Sequence, residues 1–260
     1  MDIFEAVIIA IVEGLTEFLP ISSTGHMILT SAVLGLDNTA FLKTYEISIQ
    51  LGAIMAIAWI YAGRFYSNFV MYYKLFVAFV PTMVIGFLAY DWIKTYLFST
   101  WVVSITLVLG GVLFIWLDTF IESRKSVYSE LDAIAPKNAF WIGVIQGLSV
   151  IPGISRAGAT IVGGLMNGFD KRQAMEFSFL LAVPTMLAAT TYDLIKTPIE
   201  FTNDQIKILG IGGVVAFVAA WVAVKFMLAF VGKYGFAWFG WYRIALGIVF
   251  LILLKLEIVS

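Results

Sequence analysis

The 260-residue chain contains no cysteine, and its single histidine stands at position 26. The first absence excludes disulfides, thiolate nucleophiles and thiolate metal sites. It leaves the compartment open, because a bilayer fold needs no covalent staple. The second excludes any chemistry that needs two imidazoles. Charge is also scarce: 13% of residues are Asp, Glu, Lys or Arg, and they nearly cancel to a net −1. A nucleic-acid binder's basic surplus is therefore missing. So are the basic residues of a secretory leader, since Asp2 and Glu5 stand in their place and no small-residue cleavage site follows. The start of the chain reads as mature structure.

What the chain has instead is apolar mass. Hydrophobic side chains make up 61% of it, which places it among membrane proteins rather than water-soluble domains. A transmembrane helix needs about 20 predominantly apolar residues, and stretches of that kind recur at 43–62, 71–90, 100–120, 174–194, 207–230 and 239–258. The expected fold class is an all-α integral membrane protein, with 1–260 forming one membrane-embedded domain. Eight tryptophans and eleven tyrosines supply interfacial anchors and packing.

Two further apolar regions, 3–36 and 138–168, are each interrupted near the middle by proline, glycine and hydroxyl residues. At bilayer depth, broken backbone survives only where protein buries it or it lines a wet cavity, so each is expected to form a re-entrant helical hairpin. The two regions resemble each other. Glu13-Gly14-Leu15 aligns with Gln146-Gly147-Leu148, Ser22 with Ser155 and Gly25 with Gly158 at a common offset, and Glu46-Ile47-Ser48 echoes Glu176-Phe177-Ser178. One hairpin plus three spans, repeated, implies two units at about 1–120 and 136–260. An odd number of spans inverts the second copy. Basic residues weight one side (Arg64, Lys74, Arg124, Lys125, Lys137, Lys171, Arg172, Lys233) over the other (Lys43, Lys94, Lys196, Lys207, Lys255). The positive-inside rule then turns the first hairpin and both termini outward.

The polar residues inside these breaks carry the chemistry. Glu13 and Glu17 share a helix face, and bare carboxylates are costly in an apolar stretch. A divalent cation shared with substrate phosphate would neutralise them, most simply Mg2+, with Ca2+ the second choice. The bland alternative is a pair of glutamates solvated at an interfacial helix end. In Pro20-Ile21-Ser22-Ser23-Thr24-Gly25-His26, proline stops one half-helix and Ser22, Ser23 and Thr24 stand where the next begins, a place that offers N–H groups to an anion. His26 follows Ser23 closely enough to act as its base, or else it is structural. In Pro152-Gly153-Ile154-Ser155-Arg156-Ala157-Gly158-Ala159-Thr160, Arg156 is a phosphate fork or a structural partner of Glu13 or Glu17. Ser155 and Thr160 are phosphate ligands or helix caps. Glu46 and Gln50 carry a weaker signal.

These motifs resemble those of the bacterial undecaprenyl-diphosphate phosphatases, the bacitracin resistance proteins. The likeness rests on Glu13 to His26, on Pro152 to Arg156, on Gln50-Leu51-Gly52 and on Phe177 to Pro184, and it extends over nearly the whole chain. It implies an enzyme of the bacterial plasma (inner) membrane; with the first hairpin turned outward by the positive-inside rule, its site is expected to open to the periplasmic side. The enzyme would hydrolyse undecaprenyl diphosphate to undecaprenyl phosphate and inorganic phosphate with a divalent metal, recycling the lipid carrier of peptidoglycan synthesis. By matching positions, Glu13 and Glu17 take the acidic roles, Ser23 the nucleophile, His26 the base and Arg156 the phosphate clamp. Ala157 departs from the serine common in the family, so a hydroxyl there is in doubt. The two-histidine mechanism of type 2 phosphatidic acid phosphatases is excluded by count. The expected partners are the lipid diphosphate, membrane lipid and a second copy of the chain in a homodimer. A rival reading is a lipid flippase or secondary transporter built on the same inverted repeat.

Overall fold

A computed structural model describes residues 1–37, 39–67, 69–97, 99–121, 126–196 and 201–258. Of the charges used above for orientation, Arg124 and Lys125 lie outside the described residues. The described residues are helical, without strands, in the order α1 (Ile3–Thr16), α2 (Ser23–Val33), α3 (Ala40–Ile60), α4 (Ala62–Ser67), α5 (Phe69–Tyr96), α6 (Thr100–Ile121), α7 (Pro136–Gly147), α8 (Arg156–Met166), α9 (Lys171–Lys196), α10 (Asn203–Tyr234) and α11 (Ala237–Lys255). Single 3₁₀ turns lie at Leu131–Ala133 and Leu148–Val150.

Among the described residues, six helices are long and apolar enough to cross a membrane: α3, α5, α6, α9, α10 and α11. They match the six spans expected from hydropathy, and the protein is a multi-pass membrane protein. α3 and α11 end two and three residues early, the other boundaries lie at or beyond expectation, α5 runs six residues past its expected end, and α10 gains four residues at each end. Its 32 residues would run about 48 Å at 1.5 Å per residue, well beyond the roughly 30 Å of hydrocarbon. Polar capping explains the extension: Thr202 and Gln205 close a capping box at its start, adding turns that apolar content alone does not predict. Much of the outer surface of these helices is large and apolar, including Trp59, Phe76, Phe87, Leu88 and Leu109, as a surface in contact with lipid must be.

The two interrupted regions are broken where the sequence says they should be. α1 carries 14 residues, α2 11, α7 12 and α8 11, so each reaches only about 17–21 Å and cannot span. Between α1 and α2 the chain turns at Pro20, which has no N–H to continue a helix, and at Ser22, whose φ of 70° is in the left-handed region. A side chain is uncommon there and costs energy to hold. The second break turns at Gly153 with φ 88°, where glycine meets the same demand freely.

Each broken pair packs mainly on a helix from the other half of the chain, α1 on α10 and α7 on α5, while α6 pairs with α11 and α3 packs on both α9 and α10. Glycine makes the first two contacts close. A Cβ added to Gly14 would lie 2.7 Å from the Ala219 Cβ, and one added to Gly143 would lie 2.6 Å from the Pro81 Cγ. Thr82 reinforces the second contact by donating to the Gly143 carbonyl at 2.8 Å. The core between the halves is aromatic around Phe18, whose ring meets Phe179 edge-on at 5.9 Å.

Candidate active site

The C-terminal end of α1 and the start of α2 bring two polar side chains face to face across the turn. The Ser23 hydroxyl donates to Oε2 of Glu17 at 2.5 Å. The other oxygen of Glu17, Oε1, accepts from Nη2 of Arg156 at 3.0 Å. Arg156 opens α8, so one carboxylate joins a residue from each break. The guanidinium also donates from Nη1 to the Ser178 carbonyl at 3.2 Å and lies over the Phe18 ring at 5.5 Å from its centroid. Its Nε has no partner. That donor is buried, so an anion in the cavity reaches it only when the guanidinium turns.

Glu13, one turn before Glu17, is fully buried, and neither of its carboxylate oxygens has a hydrogen-bond donor. The charges acting on it are those of Glu17, Glu46 and Arg156. Two buried acids against one arginine leave an uncompensated negative charge, which a cation or a proton must neutralise. Glu13 and Glu17 therefore fit a divalent cation, as carboxylate oxygens suit Mg2+ or Ca2+. Among the described residues no cluster of three or more His, Asp or Glu surrounds this point. A cation here would need ligands beyond these two carboxylates.

His26 is placed differently from its expected partnership with Ser23. Its Nδ1 lies 2.8 Å from the Ser22 carbonyl, which can only accept, so this nitrogen carries the proton. The neutral ring then presents its lone pair at Nε2, where the Tyr242 hydroxyl donates at 2.7 Å. The rings of His26 and Tyr242 stack at 5.5 Å with 7° between planes. Both imidazole nitrogens are thus engaged, and Glu17 rather than His26 holds the Ser23 proton.

A cavity of about 730 Å³ opens beside these groups. Glu17, Ser22, Ser23, Thr24, Ser155 and Arg156 form its polar end, with Gln50 also in the wall. Phe79, Met83 and Phe87 of α5 and Ala188 and Ala189 of α9 continue it as a mainly apolar wall, in which Thr82, Thr185, Thr190 and Asp193 are interspersed. Glu13 and His26 lie outside this wall, behind it. Of the two readings open for Ser155, the cap is realised, its hydroxyl accepting from the Gly158 N–H at 3.1 Å, while the residue also borders the cavity. Thr160 is fully buried outside the wall. Its hydroxyl bonds the Arg156 and Ala157 carbonyls, each at 3.0 Å, and contacts the Ser178 hydroxyl. The expectation that Thr160 binds phosphate is not what this arrangement provides, because a threonine inside a helix satisfies its hydroxyl on the preceding turn. Glu46 receives the Ser31 hydroxyl at 3.2 Å.

Sequence reading missed Tyr242 and Arg243. Arg243 is 2% exposed and donates to four backbone carbonyls, of Pro20, Thr106, Leu107 and Gly153. The available signal was an arginine inside an otherwise apolar span, which is costly enough at membrane depth to mark a function.

A model of the bacitracin resistance protein family matches residues 6–249. The chain belongs to that family. It is 47% identical over 254 residues to an undecaprenyl-diphosphatase of Bdellovibrio bacteriovorus, covering 98% of this chain and 97% of the relative. It is 48% identical over 256 residues to one from Wolinella succinogenes, covering 98% and 100%. A third, from Persephonella marina, is 48% identical over 252 residues, covering 97% and 99%. For a family member, the polar breaks of the first and second halves are the natural place to look for the phosphate chemistry.

Proposed function

We propose that this bacitracin resistance family protein hydrolyses undecaprenyl diphosphate to undecaprenyl phosphate and inorganic phosphate, recycling the lipid carrier of cell-wall synthesis. The observation that carries the mechanism is the chain Ser23–Glu17–Arg156 on the wall of a cavity that is otherwise mostly, though not wholly, apolar. The diphosphate occupies the polar end and the isoprenyl tail follows the channel between α5 and α9.

In this reading Arg156 turns its free donors to the terminal phosphate. Ser23 Oγ attacks the terminal phosphorus, its proton passes to Glu17, and the bond from that phosphorus to the bridging oxygen breaks, releasing undecaprenyl phosphate. Glu17 gives that proton to the departing phosphate oxygen, then takes one from the water that attacks the phosphoserine and passes it to Oγ, so that the Ser23 hydroxyl and the Glu17 carboxylate are both restored as inorganic phosphate leaves. Both steps are stabilised where negative charge builds on the phosphoryl oxygens. α2 starts without a side-chain cap and lines the same end of the cavity with Ser22, Ser23 and Thr24, a place where free N–H groups favour an anion. Glu13 and Glu17 would hold a divalent cation, whose chemistry is to screen the phosphate charge. His26, fixed by Ser22 and Tyr242, sets the first turn of α2 on which Ser23 sits.

The placement of α1 on α10 and of α7 on α5 supports two re-entrant hairpins exchanged between inverted repeats of one membrane-embedded unit. The cavity reaches Phe87 of α5 and Asp193 of α9, in the halves of those helices away from Lys74 and from Lys171 and Arg172. With the basic end cytoplasmic, it opens to the periplasmic side of the inner membrane.

The test is phosphate release from undecaprenyl diphosphate by the detergent-purified protein with Mg2+. Release that vanishes in folded Ser23→Ala and Arg156→Ala variants supports the reading. Lipid flux across liposomes without phosphate release would instead make the protein a flippase.

A further inference from the structure

Arg243 occupies a position that neither the charge pattern nor the proposed chemistry explains. It lies in the second turn of α11, 2% exposed, and among the described residues no carboxylate comes within 4.0 Å of it. Burying an arginine without a counter-ion is expensive unless its N–H groups are satisfied. Here they are satisfied by main-chain oxygens: Nη1 donates to the Pro20 carbonyl at 3.1 Å, and Nη2 to the Gly153 carbonyl at 3.0 Å and the Thr106 carbonyl at 3.2 Å. Nε points to the Leu107 carbonyl at 3.4 Å. The cation also lies 5.8 Å from the centre of the Phe114 ring.

Two of these acceptors are the breaks themselves. Pro20 is the turn between α1 and α2, and Gly153 is the turn between the 3₁₀ segment and α8. The offset that places Ser22 on Ser155 and Gly25 on Gly158 also places Pro20 on Gly153 and Ser23 on Arg156. One guanidinium therefore grips the equivalent carbonyl of each half, and each grip lies three residues ahead of a proposed working side chain. Carbonyls at a chain break have lost their helical donors, so a planar fork of fixed N–H directions is suited to hold both at one separation.

The neighbouring helix is shaped for this side chain. A Cβ added to Gly110 of α6 would stand 2.7 Å from the guanidinium carbon of Arg243, so α6 leaves its backbone bare there. Thr106, on the same helix, donates to the Pro152 carbonyl at 2.8 Å, fixing the second break against the element that also receives Arg243.

We infer that Arg243 is a positioning residue that clamps the two chain breaks to each other, setting the separation of Ser23 from Arg156. The functional consequence rests on the phosphatase reading; the clamp itself does not. Its loss lets the two breaks drift apart, and a misplacement of about 1 Å can cost on the order of 100-fold in rate.

The absence of cysteine allows a direct test by spin labelling. Leu15→Cys and Leu148→Cys place nitroxides on exposed apolar positions beside the two breaks, 40% and 55% exposed and outside the catalytic groups. Pulsed dipolar distance measurement is made in nanodiscs on the otherwise wild-type protein and on Arg243→Met, with undecaprenyl diphosphate turnover measured on the same variants without labels. The expected result is a distance distribution that broadens or shifts by several ångströms, with kcat down about 10- to 100-fold and KM changed less than about 3-fold. Arg243→Lys, which keeps the charge but not the fork, falls between. Should Arg243→Met not fold, Gly110→Ala, whose added Cβ displaces the guanidinium while Arg243 itself is kept, is read on the same scales. Superimposed distance distributions overturn the clamp whatever the turnover shows. A shifted distribution in a protein that releases no phosphate upholds the clamp and removes only the phosphatase reading.

Discussion

Glu17 takes the Ser23 hydroxyl at 2.5 Å across the turn between α1 and α2, a serine–carboxylate pair where the spacing of the motif suggested a serine–histidine pair. The oxygen of Glu17 that does not face Ser23 is bound to Arg156, so the group that accepts the Ser23 hydroxyl is also the link between the two halves.

Replacing Glu17 by Gln keeps the shape and removes the charge. With no carboxylate to receive the Ser23 proton and no counter-ion for Arg156, phosphate release is expected to fall about 100- to 10,000-fold, the range of a lost general base. Fold is checked by thermal unfolding in detergent. A Glu17→Gln protein within 3-fold of wild type would rule out proton transfer to this carboxylate.

Tyr242→Phe deletes the hydroxyl on His26 Nε2 and keeps the ring stacked at 5.5 Å. The loss of one hydrogen bond is worth about 1 kcal/mol, so turnover is expected to drop about 5-fold with little change in melting temperature. If the tyrosine acts through His26, the double variant with His26→Ala turns over no more slowly than His26→Ala alone. Additive losses would show that Tyr242 works independently.

Chelation should separate the two ways of neutralising Glu13. If a cation sits there, EDTA lowers phosphate release at least about 10-fold, Mg2+ restores it, and Glu13→Gln raises the Mg2+ needed for half activity by roughly 10- to 100-fold. Calorimetric Mg2+ binding weakens in parallel. If the group is simply protonated, Glu13→Gln leaves the Mg2+ dependence where it was.

Packing of the second broken pair depends on Gly143, where a Cβ would lie 2.7 Å from the Ala78 carbonyl carbon of α5. Gly143→Ala is expected to destabilise by about 1–3 kcal/mol through overpacking, seen as a lower melting temperature. Gly210→Ala, on α10 with open space around it, serves as the control and is expected to hold or gain up to about 1 kcal/mol.

Much of the fold could be read from the order of residues. The six spans follow from runs of apolar side chains, since a helix in lipid must be long and apolar whatever it packs against. The two interruptions follow from Pro20, Ser22, Pro152 and Gly153, which restrict or free the backbone locally. Helix ends were less legible: α10 overruns its apolar run because Thr202 and Gln205 cap it in a polar segment. The site was legible as a set of residues, because Glu13, Glu17, His26 and Arg156 are costly in apolar surroundings. Their partnerships were not. Ser23 to Glu17, His26 to Tyr242 and Thr160 to Ser178 are choices among several donors and acceptors within reach.

The sequence by itself therefore determined a helical membrane protein, the places where its chain breaks, and the polar groups that must find company inside it, because those are local consequences of hydropathy and backbone chemistry. Only the tertiary structure decided which groups meet. Tyr242 reaches His26 across 216 positions and Arg243 reaches Pro20 across 223 and Gly153 across 90. Such contacts are set by how α11 lies against α6 and the two breaks, and no periodicity or motif in the chain encodes that distance.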